Sequence, residues 1–307
     1  MGKIEDVTQN NSGNVLVALD RSKSYRVFLT ITTEMAERAA RIHQTTPVAT
    51  AALGRLLTGG GLMGIMMKNE NDKLTVQIKG DGPAEELLIT AKGDGTVKGY
   101  IANPYIDIPS RKDGKLDVGR AVGTGTLTVI KDMGLKEPYM GRIDLVSGEI
   151  ADDLTAYFFV SEQQSTSVAL GVKVDVDGSV AVSAGMIIQM LPDSDPASVD
   201  ALERMLDTML PLTSLAEEAG GDINRLLEKI FGGMPKEYRP EILAYRNIEW
   251  NCDCSVSRLE GVLLSLGHEE LSNIIEEDGQ AELICQFCTK AYHFDRQHLE
   301  RILEGDI

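Results

Sequence analysis

Cys252-Asp253-Cys254 and Cys285-Gln286-Phe287-Cys288 contain all four cysteines of this 307-residue chain. They form a C-x-C pair and a C-x-x-C pair in the last fifth of the sequence. Four soft thiolates in two close pairs match the ligands of a tetrahedral Zn²⁺, with sulfur about 2.3 Å from the metal. The pattern therefore predicts one zinc ion per chain. The members of each pair also lie close enough in sequence to oxidise to disulfides, so this site could double as a redox switch.

Other uses of the cysteines are weaker hypotheses. Spacing favours zinc over four unrelated cysteines, but it does not separate a passive structural site from a switch. A thioredoxin-like enzyme is disfavoured because neither pair opens a helix after a strand. Zinc hydrolysis is disfavoured because four thiolates leave no open coordination position. His293 and His298 lie near the pairs in sequence, and we interpret them as surface or packing residues. No catalytic and no cofactor-binding residues are predicted.

The net charge and the length limit the class of protein. The formal charge is −17 at pH 7, which argues against a nucleic-acid partner because phosphate binding needs clustered Lys and Arg. The length indicates two domains. No apolar segment follows Met1, so no signal peptide is predicted, and the expected location is the cytoplasm. The apolar run Pro47–Met67 contains Arg55 and five glycines, which favours a buried helix over a membrane span.

The first 190 residues or so show mixed helical and strand patterns. Thr33 is placed to cap a helix that runs to about His43, and Thr46 with Pro47 opens a second helix. The glycines of Gly59–Gly64 match G-x-G-x-x-G but lie inside this second helix, so a dinucleotide site is not predicted. Strands are expected at Val15–Leu19, Tyr25–Ile31, Leu74–Ile78, Leu87–Ile89, Val97–Ile101, Thr126–Ile130, Ser167–Val176 and Val180–Ser183.

After Pro192 the pattern becomes that of short amphipathic helices. A helix is expected to start at Pro196, and Asp222 is placed to cap another. The apolar residues of this second helix follow an i, i+3, i+4, i+7, i+8 pattern. Helices this short need a surface on which to bury such a stripe. The stripe consists of Ile223, Leu226, Leu227, Ile230 and Phe231.

The cysteine region combines helices with a hairpin. Ser257-x-x-Glu260 fits a capping box for one helix, and a second helix is expected over Glu269–Glu277. Glu282–Cys285 and Tyr292–Phe294 bracket the C-x-x-C pair as a hairpin. The predicted fold class is therefore α+β. It has an N-terminal mixed α/β domain over residues 1–192, an amphipathic helical linker over 193–246 and a small four-cysteine zinc domain over 247–307.

Taken together, these features resemble the family of the 33-kDa heat-shock protein, a redox-regulated chaperone. The resemblance covers nearly the whole chain, except for the residues before about Gly13. Its most specific element is the C-x-C and C-x-x-C arrangement, followed by Tyr292 and Phe294. The other matching segments are Glu277–Glu282, Ala51–Arg55, Lys115–Val118, Val122-Gly123, Ser147–Ile150, Ser161–Gln163 and Ile187–Pro192.

The resemblance implies an ATP-independent holdase that is not an enzyme. By resemblance, the reduced protein binds Zn²⁺ through all four thiolates and is inactive. Oxidation would form the disulfides Cys252–Cys254 and Cys285–Cys288 and release the metal. The zinc domain would then lose its fold, and the linker would unfold. Its apolar surface would become available to unfolded client proteins, and the active form would be a homodimer. No membrane or nucleic-acid partner is expected.

Overall fold

The computed structural model describes residues 13–305, so the predicted absence of a signal peptide after Met1 lies outside the described residues. The chain divides into two compact units, Met1–Trp250 and Asn251–Ile307. The strands and helices of the first unit are β1 (Val15–Asp20), β2 (Tyr25–Ile31), α1 (Thr33–His43), α2 (Pro47–Ile65), β3 (Lys73–Gly80), β4 (Glu86–Lys92), β5 (Thr96–Ile101), α3 (Val118–Val122), β6 (Gly125–Asp132), β7 (Tyr139–Asp144), α4 (Ile150–Ser161), β8 (Thr166–Val174), β9 (Val180–Met190), α5 (Pro196–Thr208), α6 (Leu212–Ala219), α7 (Ile223–Phe231), β10 (Pro240–Arg246) and β11 (Glu249–Trp250). Those of the second unit are α8 (Val256–Ser265), α9 (His268–Glu277), β12 (Gln280–Ile284), β13 (Ala291–Asp295) and α10 (Arg296–Glu304).

Two sheets form the frame of the first unit. The five-stranded sheet has the order β10-β1-β2-β9-β8, and the six-stranded sheet has the order β11-β5-β4-β3-β6-β7. Neighbouring strands are antiparallel, except for the short parallel pair β11 and β5. Buried and less buried residues alternate along β4 and β5, as the period-2 pattern of the sequence predicts. The predicted mixed α/β architecture is confirmed.

Helix α2 packs against both sheets, and its glycines permit the close approach. A Cβ on Gly60 would lie 2.3 Å from Cδ1 of Ile89 on β4, and one on Gly59 would lie 2.7 Å from Cδ1 of Leu154 on α4. The helix is long and apolar enough to cross a membrane, but 94% of its apolar window is buried inside the protein. The apolar run is therefore the core helix of the first unit, as its composition predicts.

Helices α5, α6 and α7 cover the other face of the five-stranded sheet. Asp222 caps α7 by accepting hydrogen bonds from the backbone N–H groups of Asn224 at 2.9 Å and Arg225 at 3.2 Å. All five residues of the predicted stripe on α7 are buried. They share an apolar cluster with side chains of β1, β2 and β9. The three helices therefore bury their stripes on the sheet of the first unit.

Two local expectations are wrong. The last part of the predicted helical linker, Pro240–Arg246, is the strand β10, which pairs with β1. The edge of β1 offers unpaired backbone groups, and this pairing satisfies them. Thr33 is not the N-cap of α1, because the N-cap is Thr32 and its side chain makes no capping bond. The Thr32 hydroxyl instead lies 2.7 Å from the Thr58 hydroxyl, inside the core.

A buried carboxylate ties α5 to the sheet. Asp20, at the end of β1, is 1% exposed. Its Oδ1 accepts hydrogen bonds from the backbone N–H groups of Ser24 at 2.6 Å and Tyr25 at 2.8 Å. Its Oδ2 accepts from the hydroxyl of Ser198 on α5 at 3.2 Å. The Ser24 hydroxyl accepts from the backbone N–H of Asp195, the N-cap of α5, at 2.8 Å.

The same turn also binds the chain after α7. The Tyr25 hydroxyl donates to the carbonyl of Tyr238 at 2.6 Å, and the Arg21 backbone N–H donates to the carbonyl of Arg239 at 3.3 Å. Both ends of the helical segment, by which we mean α5 to α7, are therefore held by the turn between β1 and β2. Asp20 is the charged centre of this arrangement.

Replacing Asp20 by Asn is expected to loosen the helical segment. The side-chain NH₂ group of Asn would face N–H and O–H donors that now donate to a carboxylate oxygen, so at least one of these hydrogen bonds would be lost. A hydrogen bond to a charged group contributes about 1.5–3 kcal/mol. We expect the free energy of unfolding in urea to fall by about 2 kcal/mol, and proteolysis within α5 to accelerate. Asp107→Asn, at an exposed position, serves as the control and should change neither. An unchanged unfolding curve for Asp20→Asn would contradict the role of Asp20.

Candidate metal centre

The structure brings the four cysteines together from two segments. Cys252 and Cys254 lie in the stretch between β11 and α8, and Cys285 and Cys288 lie in the connection between β12 and β13. All four are free thiols, and their sulfur atoms lie within 4.8 Å of one another. The Sγ atoms of Cys252 and Cys285 are 3.7 Å apart, and those of Cys254 and Cys288 are 3.4 Å apart.

Local structure fixes the C-x-x-C pair. Strands β12 and β13 are in register from Gln280 opposite Asp295 to Ile284 opposite Ala291. The Cys285 N–H donates to the carbonyl of Lys290 at 3.0 Å, and the Thr289 N–H donates to the carbonyl of Cys285 at 2.8 Å. The predicted hairpin is confirmed, and the pair lies in its turn, not at the start of a helix.

The C-x-C pair is fixed by the beginning of α8. Ser255 is the N-cap, and its hydroxyl accepts a hydrogen bond from the Arg258 N–H at 3.2 Å. Arg258 also forms an ion pair with Asp253, the residue between the two cysteines, at 2.9 Å. The predicted capping box at Ser257 is therefore wrong by two positions, because Ser255 reaches the free N–H groups first. Glu260 instead contacts His298.

The geometry of the sulfur atoms fits a tetrahedral zinc ion. A regular tetrahedron with metal–sulfur distances of about 2.3 Å has sulfur–sulfur edges of about 3.8 Å. The Cys254–Cys288 and Cys252–Cys285 sulfur separations of 3.4 and 3.7 Å are close to that edge, and all four sulfur atoms lie within 4.8 Å of one another. They are far longer than a disulfide bond of about 2.05 Å. The donor set is also the one that zinc prefers, so the residues fit this metal.

The sulfur of Cys254 accepts a hydrogen bond from a side chain outside the four cysteines. The hydroxyl of Tyr292, on β13, lies 3.1 Å from the sulfur of Cys254. The sequence indicates Tyr292 only as a residue that follows the C-x-x-C pair. Its contact with Cys254 could not be predicted from the spacing of the residues.

The pKa values of the thiols are shifted in different directions. Burial raises the pKa of Cys252 to about 12. Burial also acts to raise the pKa of Cys254, but hydrogen bonds from Tyr292 and the neighbouring thiols outweigh it and lower that pKa to about 7. Burial raises the pKa of Cys288 as well. Four thiolates this close would repel one another, so a full set of charges requires a cation among them.

Neither histidine near the cysteines joins the cluster of sulfur atoms. His293 pairs with Glu282 at 2.9 Å, and His298 pairs with Glu260 at 2.7 Å. The ring of His298 also packs on Phe294, with centroids 5.0 Å apart. Both histidines have the surface and packing contacts that the sequence predicts.

The apolar core around this centre is small. In the described part of the second unit it consists of eight buried residues, one of which is a cysteine itself. Domains with so little buried apolar surface usually need a metal or a disulfide for stability. The eight residues are Leu263, Leu271, Ile275, Cys285, Tyr292, Phe294, Leu299 and Ile302.

Fold and site define a class of protein in which a two-sheet α/β body precedes a small domain built around four convergent thiols. The model of the Hsp33 protein family matches residues 14–295. The chain belongs to this family. It is 48% identical to the "33 kDa chaperonin" of Alkaliphilus oremlandii, over 92% of this chain and 93% of that protein. It is 44% identical to the "33 kDa chaperonin" of Clostridium perfringens, over 95% of this chain and 91% of that protein.

A solved structure shares the fold. The crystal structure of the 33 kDa chaperonin from Thermotoga maritima superposes with a TM-score of 0.84 at 32% identity. The similarity covers 96% of this chain and 99% of that one. Membership of this family supports a chaperone role for the protein.

Substitution of the cysteines tests the metal centre directly. The purified reduced protein is expected to contain one zinc per chain. Cys254→Ser or Cys285→Ser is expected to lower that content strongly, because only three of the four thiolate ligands remain. His293→Ala and His298→Ala are matched controls that should retain zinc. Elemental analysis of the purified variants provides the measurement. Full zinc content in both cysteine variants, or zinc loss in a histidine variant, would show that the ligands are assigned wrongly.

Proposed function

We propose that this protein is a redox-regulated, ATP-independent holdase whose inactive form binds one Zn²⁺ through Cys252, Cys254, Cys285 and Cys288. The observation that carries the proposal is the convergence of four free thiols in a domain with a very small apolar core. In such a domain the metal-binding free energy is largely the folding free energy. A reaction at the thiols is therefore able to unfold the whole domain.

The switching reaction is the oxidation of thiolates by a peroxide-type oxidant. Two thiolates and one hydrogen peroxide, with two protons, give one disulfide and two water molecules. Two such reactions would use all four cysteines and would leave no thiolate to hold Zn²⁺. The proposed disulfides are Cys252–Cys254 and Cys285–Cys288, as in the pairing implied by the sequence resemblance.

The proposed coupling to the rest of the protein runs along the chain. Trp250, at the end of β11, is separated from Cys252 by one residue, and β10 lies just before β11. Loss of the fold after Trp250 removes a constraint on both strands. Strand β10 follows the helices α5 to α7, so its detachment from β1 frees one end of the helical segment.

Release of this segment would supply the client-binding surface. It would expose the stripe on α7 and the sheet face that the stripe now covers. Unfolded proteins expose apolar segments of their own, so the proposed clients bind by burying apolar surface. We further propose that the protein acts in the cytoplasm, as a homodimer when active, without enzymatic turnover and without a nucleic-acid or membrane partner. The net charge of −17 supports the absence of a nucleic-acid partner and helps to keep the exposed form soluble.

Light scattering of a heat-unfolding client protein tests this function. The reduced, zinc-loaded protein is expected to leave client aggregation unchanged, and the peroxide-treated protein to suppress it at about equimolar ratio. A variant with all four cysteines replaced by Ser cannot bind zinc, so it is expected to suppress aggregation equally with and without peroxide. A further increase on peroxide treatment of this variant would indicate oxidation elsewhere in the chain. Equal suppression by the reduced and oxidised protein would remove the redox mechanism. No suppression by either form would contradict the proposed chaperone function itself.

A further inference from the structure

We propose that the hydroxyl of Tyr292 is a positioning group of the metal centre, which holds Cys254 in place as a ligand and restrains the reactivity of its sulfur. The inference rests on the proposed function in one respect, since it assumes that the four cysteines bind zinc.

The contacts of the hydroxyl converge on a single cysteine. It lies 3.1 Å from Sγ of Cys254 and 3.2 Å from the carbonyl oxygen of the same residue. One O–H group therefore faces both the side chain and the backbone of Cys254. Because β13 carries the tyrosine and the cysteine precedes α8, this contact joins the two segments that supply the thiols.

The position of the ring is well defined by its surroundings. Tyr292 is 6% exposed and belongs to the apolar core of the second unit. The ammonium group of Lys290 lies 4.7 Å from the ring centroid, on the same hairpin. A cation over the ring draws electron density from the phenol and favours donation by the hydroxyl. The hydroxyl is thus held toward Cys254 by packing, and only its O–H bond is left to rotate.

The contact with the sulfur of Cys254 depends on a hydroxyl that a single substitution removes. The donor to Cys254 belongs to a side chain. The strength of this one contact is therefore set by residue type, and Phe at position 292 would delete it while keeping the ring.

A hydrogen bond to a bound thiolate has two physical consequences. It withdraws charge from the sulfur, which makes that sulfur a weaker nucleophile toward an electrophile or an oxidant. It also orients the ligand, and loss of such an outer contact usually weakens metal binding by about 10-fold to 100-fold. Both effects favour retention of the metal in the reduced protein.

The test compares full-length wild type, Tyr292→Phe and Tyr100→Phe, each loaded with one equivalent of zinc. Tyr100→Phe is the control, because it removes a partly buried hydroxyl that bonds Glu86 in the first unit. Zinc affinity is measured by competition with a chromophoric chelator. Modification of each cysteine by iodoacetamide is followed by peptide mass spectrometry. The charge-transfer band of the Co²⁺-substituted proteins reports electron density on the sulfur atoms.

Tyr292→Phe is expected to bind zinc about 10-fold more weakly, to react faster at Cys254 relative to Cys285, and to shift the Co²⁺ charge-transfer band to longer wavelength. Tyr100→Phe should match wild type in all three. Unchanged affinity, selectivity and band position in Tyr292→Phe, with wild type binding one zinc, would overturn this inference and leave the proposed function intact. Equal acceleration at all four cysteines would also overturn it, because that result indicates general loosening. Wild type that binds no zinc would overturn the proposed function and this inference with it.

Discussion

The convergence of four thiols is the constraint on which the C-terminal unit depends. Its described core holds only eight buried residues, whereas a structural zinc ion contributes about 10–16 kcal/mol of apparent binding free energy in small domains. A whole protein is typically stable by only about 5–15 kcal/mol. A zinc ion held by the four thiols would therefore contribute enough free energy to decide whether this unit folds. Under the proposed function, oxidation of the thiolates would remove that contribution.

The first unit is organised so that its parts differ in stability. The core around α2 lies between two sheets, and all of its buried residues belong to the first unit, which ends at Trp250. The helices α5 to α7 form an outer layer on the opposite face of one sheet. Each is short and marginal alone, and the layer is held by its apolar stripes and by the hydrogen bonds around Asp20. The outer layer is thus the part of the unit best suited to open while the core persists.

Much of this arrangement could be predicted from the sequence, where the local pattern is strong. The alternating strands, the glycine-rich core helix, the stripe on α7 and the hairpin at the C-x-x-C pair all follow from period, capping and turn residues. One error arises where a distant partner decides, because Pro240–Arg246 is a strand that pairs with the edge of β1. Another is local, because Ser255 and not Ser257 caps α8. The Asp20 network and the Tyr292–Cys254 contact depend on three-dimensional proximity that one sequence does not encode in its spacing.

Hydrogen exchange followed by mass spectrometry tests the central claim most directly, namely that the metal centre controls the docking of α5 to α7. Reduced zinc-loaded protein and peroxide-treated protein would be compared segment by segment. Oxidation is expected to abolish protection in residues 252–305 and to lower it strongly in α5, α6, α7 and β10, while α2 and strands β3 to β6 keep theirs. Loss of protection confined to residues 252–305 would contradict the claim, because the metal centre would then unfold without any effect on the helices.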